Sequence, residues 1–193
     1  MPALTLELRQ LYLITLTGLT LGCMVNVVLV TTRPRNGRVA RDLEDYLLVK
    51  LGKARIVKSR FSGLLIIEAE VDPRVVSRVI LNSPFIGTAV FRVVPVIEYV
   101  NELNFTNILS ITLPKIRERC SGLKVLVRCR ARGRGIGDSQ CELELARRLK
   151  EQGVNVGVNS PNCLLLVECW EGGCGILMDR LDLISGYAFI NIK

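Results

Sequence analysis

Three arginines spaced two residues apart, Arg128, Arg130 and Arg132, are the side chains of this sequence most suited to binding a charged ligand. From Lys124 onward they alternate with Val, Cys and Ala, which predicts a strand with one buried face and one row of guanidinium groups. A strand spaces side chains on one face by about 6.5 to 7 Å, close to the phosphate repeat of a nucleic-acid strand. The row therefore predicts contact with a phosphate backbone. A solvated sheet edge protected by charge is the alternative.

The row leads into a glycine-rich loop, Gly133–Gly137, which contains Arg134 and precedes a predicted helix. Ser139 is placed to cap this helix, with Glu142 completing a capping box. Free amides and the helix dipole at such a start attract phosphate. The loop lacks the Gly-Lys-Ser/Thr of a P-loop and the third glycine of a dinucleotide fingerprint. We therefore expect phosphate contact without nucleotide hydrolysis.

Smaller basic clusters lie nearer the N-terminus. Arg33 and Arg35 flank a predicted turn. Arg60 precedes Phe61, whose ring is suited either to stack on an exposed base or to fill a core or turn position. Arg92 interrupts an apolar strand, so its charge must reach solvent, pair with an acid or meet a ligand.

The balance of charge also favours an anionic partner. The 193 residues include 26 Lys and Arg against 18 Asp and Glu, a formal net charge of +8 with a pI near 9.4. Such an excess indicates nucleic acid or an anionic membrane surface. The sequence contains no His, which removes the commonest general base and metal ligand. We expect a binding protein that has no catalytic site, metal or cofactor.

Seven cysteines are present, and none forms a Cys-x-x-Cys pair, so a structural zinc site is not expected. Buried thiols are one interpretation. Disulfides are the other, and Cys169 and Cys174 are spaced to face each other across a hairpin. An enzyme that used Cys169 or Cys174 as a nucleophile would lack an evident base.

Residues 1–23 form an N-terminal extension to which the sequence assigns no role. The apolar stretch Leu11–Leu21 has some likeness to a secretion signal, but it is too short to span a bilayer and follows Glu7 and Arg9. An element packed on the core, or an over-long translation start, fits better. Nothing else resembles a transmembrane helix, so we expect a soluble, cytoplasmic protein.

The rest of the chain divides into two α/β units. In residues 24–99, periodicity and turn residues predict the order strand, helix, strand, strand, helix, strand, the split βαβ pattern of a ferredoxin-like fold. Its last strand is predicted as Thr88–Tyr99. In residues 100–193 we predict a helix from Asn104 that Pro114 kinks or ends, then the arginine strand and the helix after it. The strands predicted to follow are Val154–Val158, Leu164–Cys169, Ile176–Met178 and Tyr187–Ile192.

The sequence resembles the THUMP-domain family, and within it the tRNA acetylation adaptors that are required to form acetylcytidine in tRNA. The resemblance runs from Met24 to the C-terminus. It rests on Arg92-Val93-Val94-Pro95, on the Lys124-to-Arg132 strand that leads to the Ser139 helix, and on Val156 to Asn162 before Leu164. The last segment is similar to the family's Val-x-Leu/Val-x-x-Pro-Asp/Asn signature.

The resemblance implies an α+β fold, with an N-terminal ferredoxin-like domain followed by a THUMP RNA-binding domain. It implies that both domains hold the tRNA acceptor stem and its single-stranded 3′ CCA end. By position, it carries an RNA-binding role to Arg92, Arg128, Arg130 and Asn159. Many family members fuse the module to a modifying enzyme, whereas this chain ends with the domain. We therefore expect an adaptor that presents tRNA to an enzyme in trans, an acetyltransferase according to the resemblance.

We thus expect an extension (1–23), a ferredoxin-like domain (24–99) and a THUMP domain (100–193) in a non-enzymatic, tRNA-binding protein with no membrane partner. The candidate RNA-binding residues are Arg33, Arg35, Arg60, Arg92, Lys124, Arg128, Arg130, Arg132, Arg134, Ser139 and Asn159. The rival interpretation is a protein-interaction module whose basic face docks on an acidic enzyme surface, with only nonspecific RNA contact.

Overall fold

The computed structural model describes residues 26–34 and 37–190. The extension 1–23, the predicted strand start at Met24 and the candidate residue Arg35 lie outside these ranges. Within them, no helix is long and apolar enough to cross a membrane. The elements in chain order are β1 (Asn26–Thr32), α1 (Gly37–Leu51), β2 (Ala54–Lys58), β3 (Leu64–Ala69), α2 (Pro73–Leu81), β4 (Val90–Pro95), β5 (Glu98–Val100), α3 (Phe105–Arg119), β6 (Val125–Ala131), α4 (Asp138–Glu151), β7 (Cys163–Trp170), β8 (Gly173–Arg180) and α5 (Leu181–Ile184).

The first domain is an antiparallel sheet in the order β2-β3-β1-β4, with α1 and α2 packed on one face. Leu43 and Leu47 of α1 and Val76 and Ile80 of α2 recur at helical spacing and are buried against the sheet. Asp72 caps α2 by accepting a hydrogen bond from the backbone of the second helical residue. The arrangement confirms the ferredoxin-like pattern.

The second domain is a sheet in the order β5-β8-β7-β6, in which β6 runs parallel to β7 and the other pairs are antiparallel. Val125, Val127 and Cys129 of β6 face α3 and α4 in one apolar core, which confirms the predicted buried face of this strand. Every residue of β7 is buried, because this strand is central and the sheet is covered on both faces.

The predicted strand Thr88–Tyr99 is two strands, β4 and β5, that belong to different sheets. The Val96 N–H still donates to Val27 of the first sheet, and the Ile97 N–H donates to Ile176 of the second. Alternation of apolar residues cannot reveal this change, because both sheets require the same period. The domain bounds given above remain a prediction.

Two other predicted strands are not observed within the described ranges, and of the two alternatives for Pro114 the ending of the helix is excluded. Val154–Val158 and the described part of Tyr187–Ile192 are not strands, and each contributes one isolated bridge, from Val156 and from Phe189. Pro114 lies inside α3 without ending it. An exposed proline removes only one helical hydrogen bond, and the apolar face of α3 packs on the sheet along its whole length.

The two sheets pack face to face around a third apolar core. Leu29, Ile66 and Val94 reach it from the first sheet, and Leu166 and Leu177 reach it from the second. All five are buried. The layers therefore run helices, sheet, sheet, helices, and the inner faces of both sheets form the contact between the domains.

The six cysteines within the described ranges form three disulfides, Cys120–Cys163, Cys129–Cys141 and Cys169–Cys174. The last joins opposite residues of β7 and β8, as the hairpin spacing suggests. The other two tie the end of α3 to β7 and tie β6 to α4. Disulfides are therefore present instead of the buried thiols of the alternative interpretation.

Tyr187 ties the C-terminal segment to β8, since its hydroxyl donates to Asp179 Oδ2 at 3.1 Å. Burial raises the pKa of Tyr187 to about 12, and the charge of Asp179 acts in the same direction. An unfolded tyrosine titrates near about 10. The stability from the raised pKa is therefore fully present below pH ~10 and is lost as the pH rises towards ~12.

We expect Tyr187→Phe to lower the free energy of unfolding at neutral pH and the difference from the wild type to shrink between pH ~10 and ~12. Urea unfolding of both proteins across this interval measures it. If the difference in free energy of unfolding between the two proteins does not change with pH, the raised pKa of Tyr187 is contradicted.

Candidate nucleic-acid interface

The arginine strand β6 is an edge strand, and acidic side chains of α4 cover its outward backbone amides. Asp138 accepts from the Ala131 N–H at 2.8 Å, and Glu142 accepts from the Cys129 N–H at 3.1 Å. An uncovered edge would offer these donors to another strand. The contacts also fix α4 beside the row of arginines.

The predicted capping box at the start of α4 is wrong. The helix begins at Asp138, after Gly137, and no side chain caps it. Ser139 lies inside the first turn and is exposed, while Glu142 is engaged by β6. A carboxylate, that of Asp138, already lies at this helix start, where it interacts favourably with the dipole. A phosphate there would meet a negative charge.

Each arginine of the row has a carboxylate partner from another element. The distances are 3.6 Å for Arg128 to Glu142, 2.7 Å for Arg130 to Asp138 and 2.7 Å for Arg132 to Glu168. The hydrogen bond to Asp138 raises the pKa of Arg130. The row is therefore less positive than the sequence suggests. The side chain of Arg130 is still 51% exposed and accessible to a ligand.

Glu168 joins the two domains. Its carboxylate is 1% exposed and accepts hydrogen bonds from Arg92 Nε of β4 at 3.0 Å and from Arg132 Nη1 at 2.7 Å. Arg92 Nη2 lies 2.9 Å from the same carboxylate. Of the three outcomes open to Arg92, pairing with an acid is the one observed.

Arg134 holds the hairpin between β7 and β8. Its Nη2 donates to the carbonyl oxygens of Trp170 at 2.6 Å and Gly173 at 2.8 Å. Its Nε is buried and has no hydrogen-bond partner among the described residues. This side chain is turned into the hairpin, and its RNA-binding role stays a prediction.

The tip of the same hairpin contacts the first domain. Glu171 accepts from the Ser59 hydroxyl at 2.6 Å and from the Arg60 N–H at 2.8 Å. Partial burial alone would raise the pKa of Glu171, but these hydrogen bonds outweigh it and lower that pKa. The carboxylate therefore stays charged and holds the β2–β3 turn against the second domain.

Gly133 makes a further close contact between the domains. A Cβ at this position would lie 2.9 Å from the Phe61 ring and 3.0 Å from the Arg60 guanidinium, and the φ of +67° favours glycine as well. The Arg60 guanidinium itself lies 5.1 Å from the centre of the Phe61 ring. Phe61 is half-buried at the domain contact, so the structure favours a packing role over a free stacking surface.

Positively charged side chains from both domains lie at one end of the molecule. Arg33 lies 5.5 Å from the ring centre of Phe91, the residue that precedes Arg92 in β4. The Lys58 ammonium lies beside Gly37, where α1 begins. The contacts of Glu168, Glu171 and Gly133 bring these groups together with the end of β6. We call this surface the basic end and define it as Arg33, Lys58, Arg60, Arg92, Arg130 and Arg132.

Two candidate residues lie at the other end of β6. Lys124 precedes the strand, and its Nζ donates to the carbonyl of Asn159 at 2.8 Å. Six residue steps of about 3.3 Å each separate the two ends of this strand, a span of roughly 20 Å. The structure therefore places five of the eleven candidates in the basic end but places Lys124 and Asn159 apart from it. Arg35 lies outside the described ranges.

The acids of the site were not identified from the sequence. Glu168 does carry a signal, because it is the one charged residue of the otherwise apolar strand Cys163–Trp170. Glu171 carries none, since a glutamate before two glycines is ordinary in a turn. The described ranges contain no group of three or more His, Cys, Asp or Glu side chains that could hold a metal ion.

No protein-family model and no curated protein sequence matches this chain significantly. Solved structures do resemble it. PH1313 from Pyrococcus horikoshii Ot3 is 15% identical, with a TM-score of 0.60 over 80% of this chain and 54% of that chain. A 4-thiouridine synthetase in complex with RNA and ATP is 15% identical, with a TM-score of 0.50 over 81% of this chain and 41% of that one. TrmN from Thermus thermophilus is 13% identical, with a TM-score of 0.47 over 80% of this chain and 46% of that chain.

This chain spans about half the length of these structures. The likeness and the two four-stranded sheets confirm the fold prediction, an α+β chain with a ferredoxin-like domain followed by a THUMP-type domain. The RNA-binding roles of individual residues remain predictions.

We expect Arg134→Ala to lower the free energy of unfolding by about 2 to 4 kcal/mol, because two buried carbonyls lose a charged donor. Arg117→Ala, which removes an exposed arginine of α3, should change it by less than about 0.5 kcal/mol. Urea unfolding of the two variants compares them. Equal, small effects would show that Arg134 does not hold the hairpin.

Proposed function

We propose that this protein is a tRNA-binding adaptor whose basic end holds the acceptor stem and 3′ CCA end and presents them to a modification enzyme acting in trans. The observation that carries the proposal is the basic end itself. Six cations from both domains share one end of the molecule, and carboxylates pair with three of them, Arg92, Arg130 and Arg132. A preformed row of cations suits the phosphate backbone of a folded RNA.

The structural comparison supports RNA as the anion. One of the similar structures is a synthetase bound to RNA, and it matches this chain across both domains. The match is one of fold, so the choice of tRNA, and of its acceptor end, rests on the THUMP resemblance of the sequence.

The absence of a catalytic site is part of the proposal. The sequence has no His, and the six cysteines of the second domain are in disulfides, so none of them is a free thiolate. We therefore assign the chemistry to a partner enzyme. That this enzyme acetylates cytidine rests on the sequence resemblance alone.

The salt dependence of RNA affinity tests the basic end. If the six cations each neutralise one phosphate, log K should fall with log salt with a slope of about −4, using roughly 0.7 per contact with single strands. Titration of labelled tRNA at several salt concentrations gives this slope. A flat response would contradict the proposal.

A pair of double variants locates the contact. Arg33→Ala with Arg60→Ala should weaken binding and make the slope less steep by about 1.4. Arg55→Ala with Arg117→Ala removes the same charge from exposed positions away from the basic end and should leave the slope unchanged. Equal effects of the two pairs would show that only net charge matters.

The rival function, docking on an acidic protein, makes the opposite prediction for RNA. It is favoured if a partner enzyme is captured after nuclease treatment while the isolated protein fails to shift tRNA. It is excluded if the isolated protein binds intact tRNA more tightly than tRNA without its 3′ CCA, because nonspecific contact with RNA would not distinguish the two.

A further inference from the structure

The group at the domain contact contains two guanidinium groups and one carboxylate. Glu168 is almost completely buried, whereas the side chains of Arg92 and Arg132 are 11% and 22% exposed. Two positive charges against one negative charge leave a net charge of about +1 in this group. The excess charge lies on the two arginines, the members of the group that reach the surface.

The arginines also have hydrogen-bond donors to spare. Arg92 uses Nε and Nη2 on one oxygen of Glu168, and Arg132 uses Nη1 on the other. Within the described part of the chain, no hydrogen bond or ion pair engages Arg92 Nη1 or the Nε and Nη2 of Arg132. An arginine has five N–H donors in a planar fork, so each of the two keeps donors that a phosphate oxygen can accept.

The two arginines come from different domains. Arg92 lies on β4 of the first sheet, and Arg132 follows β6 of the second. Glu168 lies opposite Arg130 in the register of β6 and β7, so the arginine row continues directly to this group. The buried carboxylate pairs with both guanidinium groups, which would otherwise repel each other.

We propose that Glu168 is a positioning residue that holds Arg92 and Arg132 together as a binding site for one RNA phosphate at the contact between the domains. The inference rests on the proposed function and adds a specific site to it. Glu168 does not touch the RNA. It acts through the two arginines, each of which offers the phosphate charge-assisted hydrogen bonds.

The proposal predicts a change in affinity of unusual sign. Removing a negative charge from a protein that binds a polyanion should strengthen binding by general electrostatics. We expect Glu168→Gln to weaken it instead, by about 5- to 10-fold, because the loss of one phosphate contact outweighs the gain in charge. The glutamine amide would direct N–H groups at a guanidinium, so at least one arginine must move away.

The experiment measures tRNA affinity and its salt slope for the wild type, Glu168→Gln and Glu118→Gln. Glu118 is exposed on α3, and its substitution makes the same change in net charge. We expect Glu118→Gln to bind as well as the wild type or slightly better, and Glu168→Gln to bind more weakly with a slope less steep by about 0.7. Glu168→Gln binding as tightly as Glu118→Gln, or more tightly, overturns the proposal.

A second variant covers the case in which Glu168→Gln fails to fold. Arg132→Lys keeps the charge and can still pair with Glu168, but it loses the planar fork. It should weaken binding about 5-fold while Arg117→Lys does not, and equal affinities overturn the proposal. A wild type that does not bind RNA overturns the proposed function as well. A wild type that binds, with the unexpected result for either variant, overturns only the role of Glu168.

Discussion

A carboxylate removed from water costs several kcal/mol unless charged partners replace its hydration, and Glu168 meets this constraint with one arginine from each domain. Removing either arginine would leave a poorly compensated buried charge. The pairing therefore does more than add stability, because it is satisfied only when the two sheets are in one relative position. The apolar core between the sheets supplies the favourable energy of the contact, but apolar packing alone is less directional.

The other features of this end of the molecule follow from that fixed contact. The β7–β8 hairpin, closed by Cys169–Cys174 and held by Arg134, carries Glu171 to the β2–β3 turn. The glycine at 133 allows the loop after β6 to approach the same turn. Arg92, Arg130 and Arg132, which come from both domains, are thus held by carboxylates before a ligand binds. Such preorganisation lowers the cost of binding.

Much of the fold could be predicted from local pattern, because a sheet face and a helix face each impose their own period. The order of elements in the first domain, the buried face of β6 and the Cys169–Cys174 pair are of this kind. The partners of the arginine row could not be predicted, because Asp138, Glu142 and Glu168 come from other elements and only the tertiary fold brings them near. The failed capping box has the same origin. Glu142 fits the capping-box motif, but in the structure its carboxylate accepts a hydrogen bond from the Cys129 N–H at the sheet edge instead.

The central claim is that the basic end holds the acceptor end of tRNA. The most direct measurement is competition between intact tRNA and the same tRNA without its 3′ CCA, for the purified protein at low and moderate salt. The account predicts that the intact molecule competes several-fold better at both salt concentrations and that both forms lose affinity as salt is raised. Equal competition by the two forms would contradict the claim and leave only a basic surface with general affinity for RNA.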